Sequence, residues 1–317
     1  MTLLDPWPSI LVLVVAVALD LGVGELPTKF HPVVWIGRLI KAMAASMPRS
    51  GISALIAGCF LATSVPAIAL ATSALGLYLL EPWPWLAVPA AALLLTSCFS
   101  IRMLGQEAST IAGMLQESRL DEARSRLGHL CSRDAENLAM TDVAGAAVES
   151  VAENTSDSVI GPFTFYLLAG LPGAVLFRTV NTLDSMVGYR GEYEQLGKAS
   201  AKLDDLLCWL PARLNRLVFL GAAVLGPGSA RRGWTVGQRD AAKTASPNAG
   251  HPMATIAGIL GIRLVKRDVY VLGDEGADPS PRSILESVQL MGIASLLALT
   301  LCIVWLFPAG PWLQHLL

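Results

Sequence analysis

Long apolar runs decide what this chain can fold into. Three of them, at about residues 52–80, 86–104 and 284–307, reach or approach the length of about 20 residues that a membrane-spanning helix needs. A fourth, at about residues 8–24, is shorter and carries Asp20 near its end. Only 15% of the chain is charged, whereas a soluble domain has about 25%. The sequence therefore predicts an all-α, polytopic helical membrane protein with about four spanning helices in a single integral membrane domain.

Two further apolar runs are interrupted, and they predict half-inserted segments. The run at about residues 159–180 contains Pro172-Gly173, and the run at about residues 206–226 contains Arg213 and Arg216. Irregular backbone at membrane depth is tolerated only where protein buries it or where it lines a cavity. We therefore expect one or two re-entrant segments, the first of which reverses its direction at Pro172-Gly173.

The basic residues predict the orientation. All of them lie within residues 25–51 or between Arg102 and Arg282, so four spans would place them on one face. An excess of Lys and Arg marks cytoplasmic loops. We expect a multi-pass protein of the cell (inner) membrane with its active site facing the cytoplasm. A cytoplasmic helical hairpin is expected over residues 105–158, and a cytoplasmic loop over residues 227–283. The net charge of −2 argues against nucleic acid as a partner.

The stretch from 148 to 189 is the candidate reaction centre. Glu149, Glu153 and Asp157 follow one another at intervals of four residues and would form one acidic stripe on a helix. A second polar group, Asn181 with Asp184, follows the interrupted apolar run. Carboxylates on both sides of an apolar hairpin favour a divalent cation and a phosphorylated ligand. A solvated helix face and an ordinary loop explain the same spacing about as well. The functional interpretation requires the hairpin to bring both groups into one pocket.

A loop near the C-terminal third suits an anion. Residues 246–252 read SPNAGHP, which fits neither a regular helix nor a strand. An Ala- and Gly-rich helix begins directly after it, and a loop that leads into a helix N-terminus suits a phosphate or a carboxylate. No Walker A, G-x-S-x-G or H-E-x-x-H motif is present. The residues alone indicate a membrane enzyme that acts on an anionic, phosphorylated substrate.

Six stretches, taken in chain order, resemble the adenosylcobinamide-phosphate synthase family of cobalamin biosynthesis. Together they cover nearly the whole chain, at Leu19–Arg38, Ala123–Leu138, Val148–Pro162, Val180–Tyr189, Lys202–Leu214 and Ser246–Leu264. The chain departs from the family pattern at Glu25-Leu26, where Asp-Pro is usual, and at His251, where an aromatic residue is usual. These departures put a role for Glu25 in doubt and bear on the choice of amine.

The resemblance implies an integral membrane ligase. Such an enzyme joins aminopropanol, or its O-phosphate, to the free propionate carboxyl of adenosylcobyric acid and gives adenosylcobinamide or its phosphate. This acid–amine condensation implies ATP as co-substrate and Mg²⁺ as cofactor, through an activated carboxylate. The implied partners are the corrinoid, the amine and the lipid bilayer. The resemblance is also compatible with a complex with later corrin-pathway enzymes or with a homo-oligomer.

The resemblance also implies a set of site residues. The catalytic candidates are Glu149, Glu153, Asn154, Asn181 and Asp184, of which Glu149, Glu153 and Asp184 are the candidate metal ligands. The candidates for binding the substrate or its phosphate are Asp20, His31, Arg38, Arg133, Asp134, Tyr189, Asp204, Asp205, Arg213, Ser246, Asn248 and Gly250.

Two other functions stay open at this point. One is a non-catalytic membrane sensor or regulator built on the same fold, which would have no need for the acidic pair or for the Asn181–Asp184 group. The other is a corrinoid transporter. A transporter usually concentrates polar residues at mid-membrane and shows inverted repeats, and the sequence contains neither feature.

Overall fold

A computed structural model describes residues 6–131, 133–189 and 191–313. Within these residues the chain is mainly helical, which confirms the predicted all-α, polytopic class. The helices are α1 (Pro6–Gly22), α2 (Pro32–Ala45), α3 (Gly51–Leu80), α4 (Pro84–Thr96), α5 (Arg102–Gln116), α6 (Leu120–Leu127), α7 (Met140–Thr155), α8 (Gly161–Val187), α9 (Lys198–Leu207), α10 (Trp209–Leu225), α11 (Ala230–Asp240), α12 (Gly250–Leu260) and α13 (Pro281–Leu313). The fold adds one feature to the prediction, an antiparallel pair of short strands, β1 (Leu264–Lys266) and β2 (Tyr270–Leu272).

Three helical stretches are long and apolar enough to cross a membrane, as judged by length and composition over the described residues. They are Gly51–Leu80, Met140–Val187 and Pro281–Phe307, of which the second contains the π-helical turn and the chain reversal described below and is not one straight helix. The first and third coincide with predicted spans. The predicted span at 86–104 is replaced by α4, whose 13 residues cover only about 20 Å. Helix α1 is also short for a span, with 17 residues.

The chain divides into two compact units, and the predicted single membrane domain stays a prediction. The first unit consists of Met1–Ser100, Gly161–Leu207 and Leu299–Leu317. The second consists of Ile101–Ile160 and Cys208–Ala298. In the first unit α1 packs against α4, and α8 packs against α2, α3 and α9. In the second unit α12 is the central helix, because α7, α10 and α11 all pack against it.

Helix α8 is a hairpin of two helical arms. The Phe165 and Phe177 rings stack with their centroids 5.1 Å apart, although 12 residues of straight helix would separate them by about 18 Å. The reversal lies at Ala169 and Gly170, whose backbone angles are not helical. The sequence places the turn at Pro172-Gly173, three residues too late. Pro172 instead lies in the first turn of the second arm, where a missing N–H costs nothing.

Glycine is needed at two positions of this hairpin. Gly170 has φ +62° and ψ −155°, a combination that side chains with a Cβ rarely adopt. Gly161 faces the Phe177 ring so closely that an added Cβ would collide with it. The two arms can therefore pack against each other only with glycine at these positions.

The first helices of the second unit also turn at a different place from the one expected. Sequence composition favours a turn near Gly128, but α5 and α6 are joined at Glu117–Arg119, where Ser118 takes φ +60°. Helix α7 then begins at Met140, and the Asp142 carboxylate accepts a hydrogen bond from the Ala139 N–H at 3.3 Å. The sequence suggests Asp134 as the N-cap of this helix, but its carboxylate accepts a hydrogen bond from the Glu136 N–H instead.

We predict that Gly170→Ala lowers the free energy of unfolding by about 1–3 kcal/mol, because alanine is strained in this backbone conformation. The thermal midpoint of the purified protein in detergent measures the effect. Gly292→Ala is the matched control, since Gly292 lies within α13 and an added Cβ there meets nothing within 4 Å. Equal midpoints for the two variants would contradict the need for glycine at the reversal.

Candidate functional site

A buried carboxylate lies at the centre of the second unit. Glu149, on α7, is 7% exposed, and its Oε2 accepts a hydrogen bond from Arg133 Nη1 at 3.3 Å. Arg133 also donates to the Val265 carbonyl at 3.4 Å, so the guanidinium is held from two sides. The Oε1 atom of Glu149 is buried without a hydrogen-bond partner. A buried polar atom of this kind is uncommon in folded proteins and often marks a site for a ligand, water or ion.

Strands β1 and β2 contribute two more polar groups to this carboxylate. Lys266 lies near enough for its charge to act on both Glu149 and Glu153, and the Tyr270 hydroxyl lies beside Glu149. Burial, together with the negative charge of Glu149, raises the pKa of Tyr270 well above its ordinary value. Tyr270 therefore stays protonated and is able to donate a hydrogen bond near the carboxylate.

The acidic stripe ends earlier than the sequence spacing predicts. Glu153 is exposed one turn beyond Glu149, and the Asn154 side-chain amide donates to the Ser150 carbonyl of its own helix at 2.9 Å. Regular α-helix ends at Thr155 and a π-helical turn follows over Ser156–Ile160. Because π turns change the register of a helix and occur frequently at functional sites, this turn is a structural marker that the spacing of carboxylates does not reveal.

The loop after α11 brings four predicted residues together. Arg213 Nη1 donates to Asn248 Oδ1 at 3.3 Å. Ser246 Oγ accepts from the N–H groups of Asn248 and Ala249, at 3.2 and 3.3 Å. Gly250 approaches the Ala241 carbonyl so closely that a Cβ would collide with it.

This loop differs from the expectation in one respect. Several of its N–H groups are already used inside the loop, since the His251 N–H donates to the Asn248 carbonyl at 3.0 Å and Pro252 has none. The recognition of an anion therefore depends on the neighbouring arginines more than on free backbone donors.

Asp240 anchors the chain that leads into this loop. Its buried carboxylate accepts from Arg239 Nε at 2.8 Å and from the Gly273 N–H at 2.8 Å, and Lys243 Nζ lies 2.7 Å away. Burial by itself raises the pKa of Asp240, but these bonds outweigh it and lower the pKa to about 2. The carboxylate is thus fully paired, and its role is structural.

In the first unit a second polar group surrounds Asn181 on α8. Asn181 Nδ2 donates to Asp204 Oδ1 at 3.4 Å, and Arg178 Nη1 approaches Asn181 Oδ1 at 3.5 Å. Asp205 lies close enough to Asp184 for the two charges to repel. The structure thus brings Asp204 and Asp205 beside the Asn181–Asp184 group that the sequence predicts, and Arg178 joins them although it was not among the candidates.

His31 lies within reach of this group. It is half-buried before α2, and its Nδ1 atom is buried without a hydrogen bond. Burial lowers the pKa of His31, the charge of Glu25 opposes this shift, and the charge of Arg178 adds to it. The Glu25 carboxylate accepts a hydrogen bond from Ser100 Oγ at 2.9 Å. Glu25, one of the positions at which the chain departs from the family pattern, therefore has a contact within the fold.

The other predicted residues of the first unit are not grouped with Asn181 in this way. Asp20 is fully buried in α1, and Arg38 is exposed on α2. Tyr189 is exposed and lines a cavity of about 610 Å³ together with Asp205, Lys198 and Lys202.

The predicted metal ligands are divided between the units. Glu149 and Glu153 belong to the second unit and Asp184 to the first. Across the part of the chain that the structure describes, no three His, Cys, Asp or Glu side chains form a group suited to a metal ion. A shared site for Glu149, Glu153 and Asp184 stays a prediction.

Sequence reasoning missed Arg178, Arg216 and Tyr270 as candidates. Arg216 had a visible signal, because a charge inside an apolar run is rare unless it has a function. Tyr270 had none, since it reaches Glu149 only through the short strand pair, more than a hundred positions along the chain from that carboxylate.

The fold and these groups define a helical, membrane-type protein with a buried carboxylate site and an arginine-lined loop in one unit. Residues 13–299 match the family described as CobD/Cbib protein. The chain therefore belongs to the CobD/CbiB family, in agreement with the resemblance found in its motifs. No solved structure matches the chain.

Named relatives match over almost their whole length. The probable cobalamin biosynthesis protein CobD of Methanothermobacter thermautotrophicus is 39% identical over 300 residues, which covers 94% of this chain and 96% of the relative. The cobalamin biosynthesis protein CobD of Dehalococcoides mccartyi is 37% identical, with coverage of 90% and 93%. The protein of the same name from Klebsiella pneumoniae is 38% identical, with coverage of 91% and 95%.

We predict that Asp240→Asn destabilises the protein by about 2 kcal/mol at pH 7, the free-energy equivalent of the lowered pKa. A carboxyl whose folded pKa is depressed contributes stability above its unfolded pKa of about 4, and this contribution is lost as the pH falls towards 2. The difference in thermal midpoint between wild type and Asp240→Asn should therefore shrink between pH 5 and pH 3. Asp121→Asn is the control, because Asp121 forms an exposed ion pair that contributes at most about 1 kcal/mol. A difference that does not change with pH would contradict this role.

Proposed function

We propose that this chain acts in cobalamin biosynthesis, as the names of its relatives say of those proteins. We further propose that it forms the amide bond between the free propionate carboxyl of adenosylcobyric acid and aminopropanol or aminopropanol O-phosphate. The product is adenosylcobinamide or its phosphate. We place the site on the cytoplasmic side of the cell (inner) membrane, where ATP is present.

The chemistry sets two requirements. A carboxylate reacts with an amine only after one of its oxygens has become a leaving group, and the amine must lose a proton as it attacks. ATP together with Mg²⁺ supplies the activation of the carboxylate when they are bound. The protein must hold the negative charges of both substrates and provide an acceptor for the proton.

Glu149 is able to accept the proton that the amine loses. Its Oε2 is fixed by Arg133, whereas Oε1 is buried and lacks a hydrogen-bond partner. An oxygen in that position is able to accept a proton from the attacking amine. It also fits a divalent cation, because hard cations prefer carboxylate oxygens, and Glu149 with Glu153 would then hold the cation.

Positively charged side chains of the same unit are able to hold the negative charges of the two substrates. Arg213 lies beside the loop of Ser246 and Asn248, and Lys266 and Arg133 lie beside Glu149. Fixed cations that are present before the reaction stabilise charge that develops on a transferred group. We assign the Arg213 loop to a phosphate or to a corrin side chain.

One observation carries the proposal. A chain that matches the CobD/CbiB family over residues 13–299 also buries a carboxylate whose one oxygen is held by arginine, while the other lies beside the Tyr270 hydroxyl without a hydrogen bond of ordinary length. A sensor on the same fold does not need a half-paired buried carboxylate. A transporter does not need it either, unless it lines a transport path.

We predict that Glu149→Gln lowers the rate of amide formation about a hundredfold or more, because the neutral amide does not accept the proton and offers a cation no negative charge. The purified protein in detergent is incubated with adenosylcobyric acid, aminopropanol phosphate, ATP and Mg²⁺, and the amidated corrinoid is quantified by mass spectrometry. Omission of ATP or removal of Mg²⁺ with a chelator should abolish the product.

Glu136→Gln serves as the matched control, since Glu136 is exposed and precedes α7. This variant should retain the wild-type rate. If the wild-type protein forms no amidated corrinoid, the proposed reaction is wrong. Uptake of the corrinoid into proteoliposomes without chemical change would then favour a transporter, and corrinoid binding without uptake would favour a sensor.

A further inference from the structure

Arg216 is buried and lacks a carboxylate partner. It lies on α10 one turn after Arg213 and is 7% exposed, which makes it the one Lys or Arg in the buried class among the described residues. Its guanidinium covers the Trp234 ring at 4.6 Å, and Nη2 donates to the Trp234 carbonyl at 3.3 Å. The Nε atom is buried without a hydrogen-bond partner. Throughout the described chain no carboxylate pairs with Arg216 or Arg213.

His251 faces both arginines from the start of α12. Its Nδ1 atom is buried and has no hydrogen-bond partner. Burial lowers the pKa of His251, and the charges of Arg213 and Arg216 lower it further. The imidazole is therefore neutral near pH 7 and adds no positive charge, but it can still donate one hydrogen bond.

The arrangement is unfavourable without a ligand. Two guanidinium groups of like charge lie one helical turn apart, and the N-terminus of α12 adds about half a positive charge. Removing a charge from water without compensation is strongly unfavourable. Asp240, by contrast, has cations and a backbone N–H on its carboxylate. Because no described residue pairs with Arg216 in this way, we look for its partner in a ligand.

The charge of the site indicates which anion it takes. Two arginines and a helix N-terminus carry more than two positive charges, and a phosphate monoester carries about −1.5 to −2 at neutral pH. A single carboxylate would compensate less than half of this charge. Guanidinium forks also match the oxygens of phosphate in geometry.

We propose that Arg213, Arg216 and His251 form a binding site for a phosphoryl group, with Arg216 as its buried cation and Asn248 as the residue that positions Arg213. The site holds a dianionic phosphate between α10 and the start of α12. It rests on the proposed function only for the source of the phosphate, which is either the amine O-phosphate or ATP.

Equilibrium binding tests this site without any need for turnover. Isothermal titration calorimetry of the full-length protein in detergent at pH 8 gives the dissociation constants of aminopropanol O-phosphate, aminopropanol, ATP and inorganic phosphate. Arg216→Gln and Arg213→Gln should each weaken binding of the phosphorylated ligand about tenfold to a hundredfold, the effect of losing a charge-assisted hydrogen bond. His251→Gln should weaken it about threefold. Binding of aminopropanol should change less than twofold.

Arg231→Gln is the control for net charge. Arg231 is exposed on α11 in the same unit, so its removal should change each dissociation constant less than twofold. If Arg216→Gln does not fold, Arg213→Gln and the half-exposed His251→Gln decide the matter. Arg216→Lys, which keeps the charge but not the fork, should fall between wild type and Arg216→Gln.

The four ligands separate the outcomes. A loss confined to aminopropanol O-phosphate identifies the amine as the source of the phosphate, and a loss confined to ATP identifies the nucleotide. Equal losses for aminopropanol and its phosphate would show a merely structural role and overturn the site, as would the absence of measurable phosphate binding to wild type. Arginine-dependent phosphate binding in a protein that forms no amide would support the site while the proposed reaction fails.

Discussion

Burying a charge in an apolar fold is costly unless an opposite charge or suitable hydrogen-bond partners lie beside it, and this constraint organises the second unit. Asp240 is the case in which the requirement is met inside the chain, because Arg239, Lys243 and a backbone N–H compensate it. Glu149 is compensated on one oxygen and not on the other. Arg216 has an aromatic ring and one carbonyl but no carboxylate. The degree of pairing therefore distinguishes Asp240, a structural charge, from Glu149 and Arg216, the charges that we assign to substrate binding.

Much of the fold is predictable from the sequence, because the length of an apolar run and the width of a bilayer are simple quantities. The long helices at 51–80 and 281–313 follow from composition alone. The end of α4 at Thr96 cannot be predicted in this way. The residues that follow Thr96 are still largely apolar, so composition gives no sign that the helix ends there. The reversal in α8 was expected from Pro172-Gly173, but proline is compatible with the first turn of a helix and the strained backbone lies at Gly170.

The candidate site is predictable where its residues are neighbours along the chain. The grouping of Ser246, Asn248 and Gly250 follows from a loop that cannot be regular structure. The contact of Arg133 with Glu149 and the approach of Tyr270 depend on how α7 and the strand pair pack, which no local pattern encodes. The meeting of Asp184 with Glu149 and Glu153 depends on tertiary structure in the same way, and it stays a prediction.

The path of the chain has a consequence for its synthesis. The first unit is made from three separate stretches, of which the last begins at Leu299. A ribosome that has released the first hundred residues has therefore not yet produced all the partners that these helices need. The contacts that close the first unit join residues far apart in order of translation, and contacts of this kind form slowly. Removal of residues 299–313 would therefore disturb the unit that contains the N-terminal helices, although these residues are the last of that unit to be synthesised.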